Sequence, residues 1–184
     1  MNKISIIIVL ISLLVVACQT KNNEVKETNI NKSLVQKKNS PEVEHFLKME
    51  KESGLLELSS NPKKHTWQEV DALYQSLPKK YSGQDLKVLQ GITVSLLLES
   101  KALRGYGLTQ ETSKEAEEKF LYYAQEFERL QIASMPVALE VIKKLQQGKQ
   151  WETARINHLK NNLIKTYEKE HPAGDTNLEK LKAL

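Results

Sequence analysis

An all-α fold follows from three features of the 184-residue sequence. From about residue 40 onward, apolar side chains recur at steps of three and four, the period of one helix face. Ser/Thr-x-x-Glu tetrapeptides, the reciprocal N-cap signature, stand ahead of those runs. No stretch combines strict apolar/polar alternation with hairpin turn chemistry, so strands are not expected. The expected architecture is an irregular helical bundle, or stacked α-hairpins, of about five to seven helices over residues 40–184, following a disordered tether.

The first 17 residues have a different organisation. Lys3 precedes an apolar run from Ile4 to Ala17, shorter than the roughly 20 residues a membrane-spanning helix needs. That is the layout of a cleaved export signal. Val15-Val16-Ala17-Cys18 resembles the lipobox of bacterial lipoproteins. The resemblance implies that the Cys18 thiol receives a diacylglyceryl group, that cleavage precedes it, and that the new amino terminus is acylated with a fatty acid such as palmitate. Each buried methylene of such chains contributes about 0.8 kcal/mol, so two or three chains hold a protein at a membrane without a spanning helix. Gln19 stands where inner-membrane lipoproteins of Gram-negative bacteria tend to carry aspartate, which, for a Gram-negative source, implies the periplasmic face of the outer membrane. Cys18 is the one cysteine of the chain, so no intrachain disulfide can form.

Residues 18–39 are rich in Asn, Lys, Glu, Thr and Ser, with Val25, Ile30, Leu34 and Val35 too dispersed to form a face. They bury too little apolar surface to offset ordering entropy, and the segment reads as a tether.

The helices are then expected in order. Ser40-Pro41-Glu42 supplies a cap, a proline at the first helical position and an acid in the first turn. Val43, Phe46 and Leu47 follow, Ser53-Gly54 interrupts, and Leu55 to Leu58 extend the element. Thr66-Trp67-Gln68-Glu69 is a capping box leading Val70, Leu73, Tyr74 and Leu77 to a stop at Pro78. Ser82 or Gly83 opens a run to Leu103 that is apolar around most of its circumference, the sign of a central helix; Gly91 and Ser95 there would admit a close neighbour. Thr112-Ser113-Lys114-Glu115 is a second box, leading the seam Ala116, Phe120, Tyr123, Phe127 and Leu130. Met135-Pro136 starts a helix with Gly148 as its cap, a longer one runs from Gln150 or Trp151 to Tyr167, and Thr176-Asn177-Leu178-Glu179 caps a last short helix. The spacing of Trp67, Val70, Asp71 and Tyr74 resembles that of the first helix of tetratricopeptide repeats, and Trp151, Ala154, Arg155 and His158 follow it more loosely. The resemblance stops at the first helix of each unit.

Charge narrows the function. With 27 Lys+Arg and 23 Asp+Glu, the chain carries +4, and both signs are interspersed, which describes a solvated surface more than a nucleic-acid groove. Glu117, Glu118, Glu126 and Glu128 read as a solvated helix face. The histidines His45, His65, His158 and His171 are scattered with no pair at metal-ligand spacing, and no phosphate loop, nucleophile elbow or zinc-protease motif occurs. No cofactor and no metal are therefore expected. Glu99-Ser100 ahead of Gly105-Tyr106-Gly107-Leu108-Thr109-Gln110 resembles part of the soluble lytic transglycosylase pattern, which implies Glu99 as a general acid in a cell-wall enzyme. The gap between the two parts is several residues short of that family's, and its other motifs are missing.

The expected function is a non-catalytic protein-binding or assembly module of the cell envelope, comparable to helical pilotins, with a membrane partner through Cys18 and an envelope protein as the other. The alternative is a protective lipoprotein that captures an incoming toxin or enzyme. Candidate partner-binding residues are Gly105, Tyr106 and Gly107, an aromatic between two flexible positions, with Tyr81 and Tyr122 as further aromatics. The same Gly-Tyr-Gly also fits a helix–helix turn with its tyrosine packed down.

Overall fold

The structure, a computed structural model, describes residues 40–99, 106–111, 113–132, 134–170 and 176–184. The signal, Cys18, the tether and Gly105 lie outside them. The chain divides into two compact units, Met1–Lys48 and Met49–Leu184. The division falls within helix α1 (Pro41–Ser53), whose start in the first unit is capped as expected: Ser40 Oγ accepts from the Val43 amide at 3.4 Å.

Among the described residues the fold is all-α, with eight α-helices and no strand. The count exceeds seven because Gly54, at φ +86°, breaks the first helical run and starts a separate α2 (Leu55–Ser60). That conformation is one a β-carbon disfavours. None of the helices is long and apolar enough to cross a membrane.

The helix α3 (Trp67–Ser76) opens with the expected capping box. Thr66 Oγ1 accepts from the Glu69 amide at 3.4 Å, while Glu69 Oε2 accepts from the Thr66 amide at 2.6 Å. Pro78 ends the α-hydrogen bonding, and Leu77–Lys79 tightens into a 3₁₀ turn. Next comes α4 (Gly83–Leu98), which stops five residues before Leu103, the expected end. Glu99 is extended there, and the amide of Leu108 bonds the Leu97 carbonyl at 3.1 Å, supplying a partner for one of the helix's terminal carbonyls.

The start of α5 (Lys114–Leu130) is displaced by one residue from the expected box. Ser113 is the cap, accepting from the Ala116 amide at 3.2 Å, so Glu115 is not at the reciprocating position; Thr112 lies outside the described residues. Its C-terminus closes with Gln131 at φ 54° and a bond from the Ile132 amide to the Phe127 carbonyl at 3.3 Å, the six-to-one closure of a Schellman motif without its usual glycine. In α6 (Met135–Gly148), Gly148 is the last helical residue rather than the cap, and Lys149 takes the left-handed conformation at φ 57°. Helix α7 (Thr153–Glu170) begins after Trp151, and α8 (Thr176–Ala183) contains Thr176 within it.

Within the second unit, α4 packs against α3 and α5, and α6 packs against α7 and α8; contacts between α4 and α6 join the two groups, and α2 lies on α4. Leu55, Leu89, Leu97, Phe120, Phe127 and Ile142 are among the fully buried side chains. The apolar circumference expected of a central helix is observed, with Leu89, Val94, Leu96, Leu97 and Leu98 all buried on α4. Thr93 is buried with them because its hydroxyl donates to the Leu89 carbonyl at 2.7 Å.

The close approach expected at Gly91 is not made. A β-carbon there would meet Ile132 Cγ1 at 3.9 Å, ordinary van der Waals contact. Gly91→Ala should therefore raise stability by about 0.5–1 kcal/mol, the cost of glycine in a helix interior, read as a higher urea midpoint at unchanged m-value.

Candidate protein interface on the α3–α5 seam

Asp71 and Tyr74 stand three residues apart on α3; Tyr123 and Glu126 stand three apart on α5. Each spacing puts its pair on one face. The Tyr123 hydroxyl donates to Asp71 Oδ1 at 2.5 Å, and the Tyr74 hydroxyl donates to Glu126 Oε2. The two bonds advance in the same direction along both helices, so α3 and α5 run parallel, each packed on α4. One acid and one phenol from each helix thus bridge the seam reciprocally.

A cation completes each end. Lys119, one turn before Tyr123, places Nζ at 2.8 and 3.0 Å from the two Asp71 oxygens. Arg129 holds Glu126 through two bonds, Nε to Oε1 at 2.9 Å and Nη2 to Oε2 at 2.6 Å. Such charge-assisted bonds are about twice as strong as neutral ones.

The electrostatics follow from these contacts. Burial pushes the Asp71 carboxyl up, but the hydrogen bonds from Lys119 and Tyr123 outweigh it, and the group lies below the usual carboxylate range. For Glu126 the Arg129 bond is the leading cause, and the Tyr74 bond adds to it against burial; its carboxyl too is lowered. Burial, then the neighbouring carboxylate, raises the Tyr74 and Tyr123 hydroxyls above the ordinary tyrosine range. Both phenols stay protonated and act as permanent donors.

Tyr122 caps this arrangement from outside. Its ring meets Tyr123 edge-on at 5.0 Å and Tyr74 at 6.4 Å, and Tyr74 meets Tyr123 at 5.1 Å. Tyr74 and Tyr123 are buried, whereas Tyr122 is 41% exposed. An exposed ring held by two fixed neighbours loses little freedom on contact with a partner.

The other expected site residues are dispersed. Tyr81 is half-buried, with burial first and Glu52 and Asp85 next in raising its hydroxyl. Tyr106 is 1% exposed and donates its hydroxyl to the Leu58 carbonyl, tying α2 to the segment after α4, and Gly107 is buried beside it. This is the packed-down turn, not a presented aromatic. Glu99 is half-buried at the end of α4. His158 is exposed, with a ring nitrogen 2.9 Å from the Asn162 amide nitrogen. Glu126, expected on a solvated face, is instead 14% exposed at its side chain and part of the seam. Among the described residues no group of three or more His, Cys, Asp or Glu is placed to hold a metal ion.

Sequence reasoning placed Tyr74 and Tyr123 in the core and missed their hydroxyl chemistry. A signal existed: Asp-x-x-Tyr on one helix and Tyr-x-x-Glu on another are complementary only if the helices lie parallel across a third.

A shallow hollow lies elsewhere, at the turn from α6 to α7, with Leu145, Trp151 and Ile156 as its apolar floor. The Arg155 guanidinium stacks 3.6 Å from the Trp151 ring centroid and bonds Glu128 at 2.7 Å, so the ring face is already occupied.

Fold and seam together define an all-α bundle clasped by a part-buried polar ladder. Compared with family models, with curated proteins and with solved structures, the chain matches none.

Tyr123→Phe keeps the ring and removes one donor from Asp71; it should lower stability by about 1–3 kcal/mol in urea unfolding. Tyr122→Phe should stay within about 0.5 kcal/mol of the parent chain. The sign of the pH dependence is fixed by the lowered carboxyls. Their contribution is complete above the unfolded-chain values near about 4 and is lost as pH falls through the folded values. The urea midpoint should therefore fall on acidification below about pH 4, and less steeply in Tyr123→Phe than in the parent.

Proposed function

We propose that this chain is a lipid-anchored, non-catalytic protein-binding module of the cell envelope, an assembly accessory comparable to helical pilotins. The observation that carries the reading is Val15-Val16-Ala17-Cys18 at the end of a short apolar run, whose chemistry leads to acylation of Cys18. Gln19 in place of aspartate favours the outer membrane, facing the periplasm. The helical unit then works at the end of a tether of roughly 25 Å, a reach that clears the headgroups. Tyr122 supports the binding role: it is an exposed aromatic packed on two buried rings, the kind of residue that anchors interfaces.

Metabolic labelling with a fatty-acid analogue tests the anchor. The parent chain should take up label and sediment with membranes, and Cys18→Ala should do neither; equal labelling of the two would end the proposal. Crosslinking in intact envelopes tests the role. Capture of an envelope-assembly subunit that is lost with Tyr122→Ala is the expected result, whereas capture of an incoming toxin would move the chain to the protective class.

A further inference from the structure

We infer that the α3–α5 seam is an acid-opened latch: in acid, α3 detaches while α6, α7 and α8 remain packed, uncovering the apolar residues of α4 that α3 covers.

Its carboxylate contacts set α3 apart. Like the shorter α2 and α8, its 10 residues fall below the length of about 12–15 at which an isolated helix becomes even marginally stable in water, so its order depends on docking. Its link to α5 runs through Asp71 and Glu126, each receiving one phenol and one cation. A third carboxylate, Glu69, closes the cap at its N-terminus. One short helix therefore has three attachments that an ionised acid strengthens. Protonation of Asp71 or Glu126 leaves Lys119 or Arg129 beside a neutral carboxyl, and protonation of Glu69 leaves the Thr66 amide a weaker, uncharged acceptor.

All the neighbours act in the same window. Asp71 faces Lys119 and Tyr123 from α5 and Gln75 from its own helix, with Gln75 Nε2 at 3.5 Å. Glu126 faces Tyr74 from α3 and Arg129 from α5. On the far flank Glu128 is paired with Arg155 of α7, and from α4 Asp85 lies beside Tyr81. On the Glu69 side the neighbour is His65, whose Nδ1 is 3.6 Å from Glu69 Oε1. The lysine, arginine and phenols do not change state on acidification. Glu69, chiefly through the Thr66 amide, is held below the ordinary carboxylate range as Asp71 and Glu126 are, so all three acids stay ionised until the pH falls below that range.

The chain carries its own reporters. It has two tryptophans, Trp67 at the first position of α3 and Trp151 ahead of α7, both buried. Full-length chains carrying Trp151→Phe or Trp67→Phe would each report one group of helices by fluorescence through a titration from pH 7 to 2. The expected result is a red shift of Trp67 emission at a pH where Trp151 emission is unchanged and most helical circular dichroism persists. Coincident transitions, or Trp151 moving first, would overturn the latch. Asp71→Asn with Glu126→Gln, in the chain whose Trp67 is the reporter, separates the seam from general acid unfolding. In that chain Trp67 should already be red-shifted at pH 7; an acid transition identical to that of the parent would equally sink the idea. Trp151 emission of the same double variant, in the chain whose Trp151 is the reporter, checks that the remainder stays folded.

Discussion

The α3–α5 seam depends on two part-buried phenol–carboxylate bonds made in opposite directions. A tyrosine buried with its hydroxyl unmet, or a carboxylate buried without a partner, is costly. Pairing Asp71 with Tyr123 and Tyr74 with Glu126 satisfies four such groups at once. Because the ring bodies are apolar and the hydroxyls polar, the same residues fill the groove and provide its polar specificity. Leucines at these positions would bury comparable surface, but they would not dictate a register. A slip of α3 along α5 by one turn would put phenol against phenol in one direction and acid against acid in the other. The ladder selects one register, the use of buried polar groups that is best attested physically.

The need for such a device arises from α4. That helix is buried on most sides, so several elements must be recruited to cover it, and they come from different parts of the chain. The short α2 is held there by the Tyr106 hydroxyl on Leu58 and by the left-handed turn at Gly54. Adjacent α3 is held by its cap and by the seam. By contrast, α6 covers itself through an uninterrupted apolar run, with Val137, Ala138, Val141, Ile142 and Leu145 all fully buried. Docking of α3 draws on three carboxylates beside its buried Trp67, Val70 and Tyr74, whereas α7 and α8 add to their apolar packing one exposed ion pair, Lys182 Nζ to Glu168 Oε1 at 2.8 Å. An exposed pair contributes little, so acid bears harder on the seam.

What the sequence disclosed was what local chemistry determines. The Thr66 box, the break at Pro78, the apolar circumference of α4 and the Ala116–Leu130 stripe all depend on residues within one helix, and all were legible. Errors fell where a neighbour decides. The end of α4 at Leu98 is set by Leu108, ten residues on, meeting the Leu97 carbonyl. Ser113 rather than Thr112 caps α5, a choice between two adjacent hydroxyls that periodicity cannot make. The left-handed residue after α6 is Lys149 instead of Gly148, against the preference of glycine for that conformation. Glu126 was read as solvated because it lies beside the apolar stripe; only the position of Tyr74 on another helix brings it inside. Tyr122 was legible as a candidate aromatic, but the two rings that hold it were not.

The seam also bears on how a partner would be felt by the rest of the unit. Tyr122 rests on Tyr74 from α3 and on Tyr123 from its own helix. If α3 leaves, one of the two supports leaves with it, and the ring regains rotamer freedom that a partner must then remove. A partner that prefers the supported ring therefore binds the closed seam more tightly than the open one. Linkage makes this reciprocal: the same difference in affinity holds α3 in place. A partner on Tyr122 would move the opening of α3 to lower pH by the free energy with which it distinguishes the two states, and a partner indifferent to the support would leave it unmoved. The exposed ring and the part-buried ladder are thus one coupled element, and a contact on the outside of α5 is communicated to α4 through side chains that the partner does not touch.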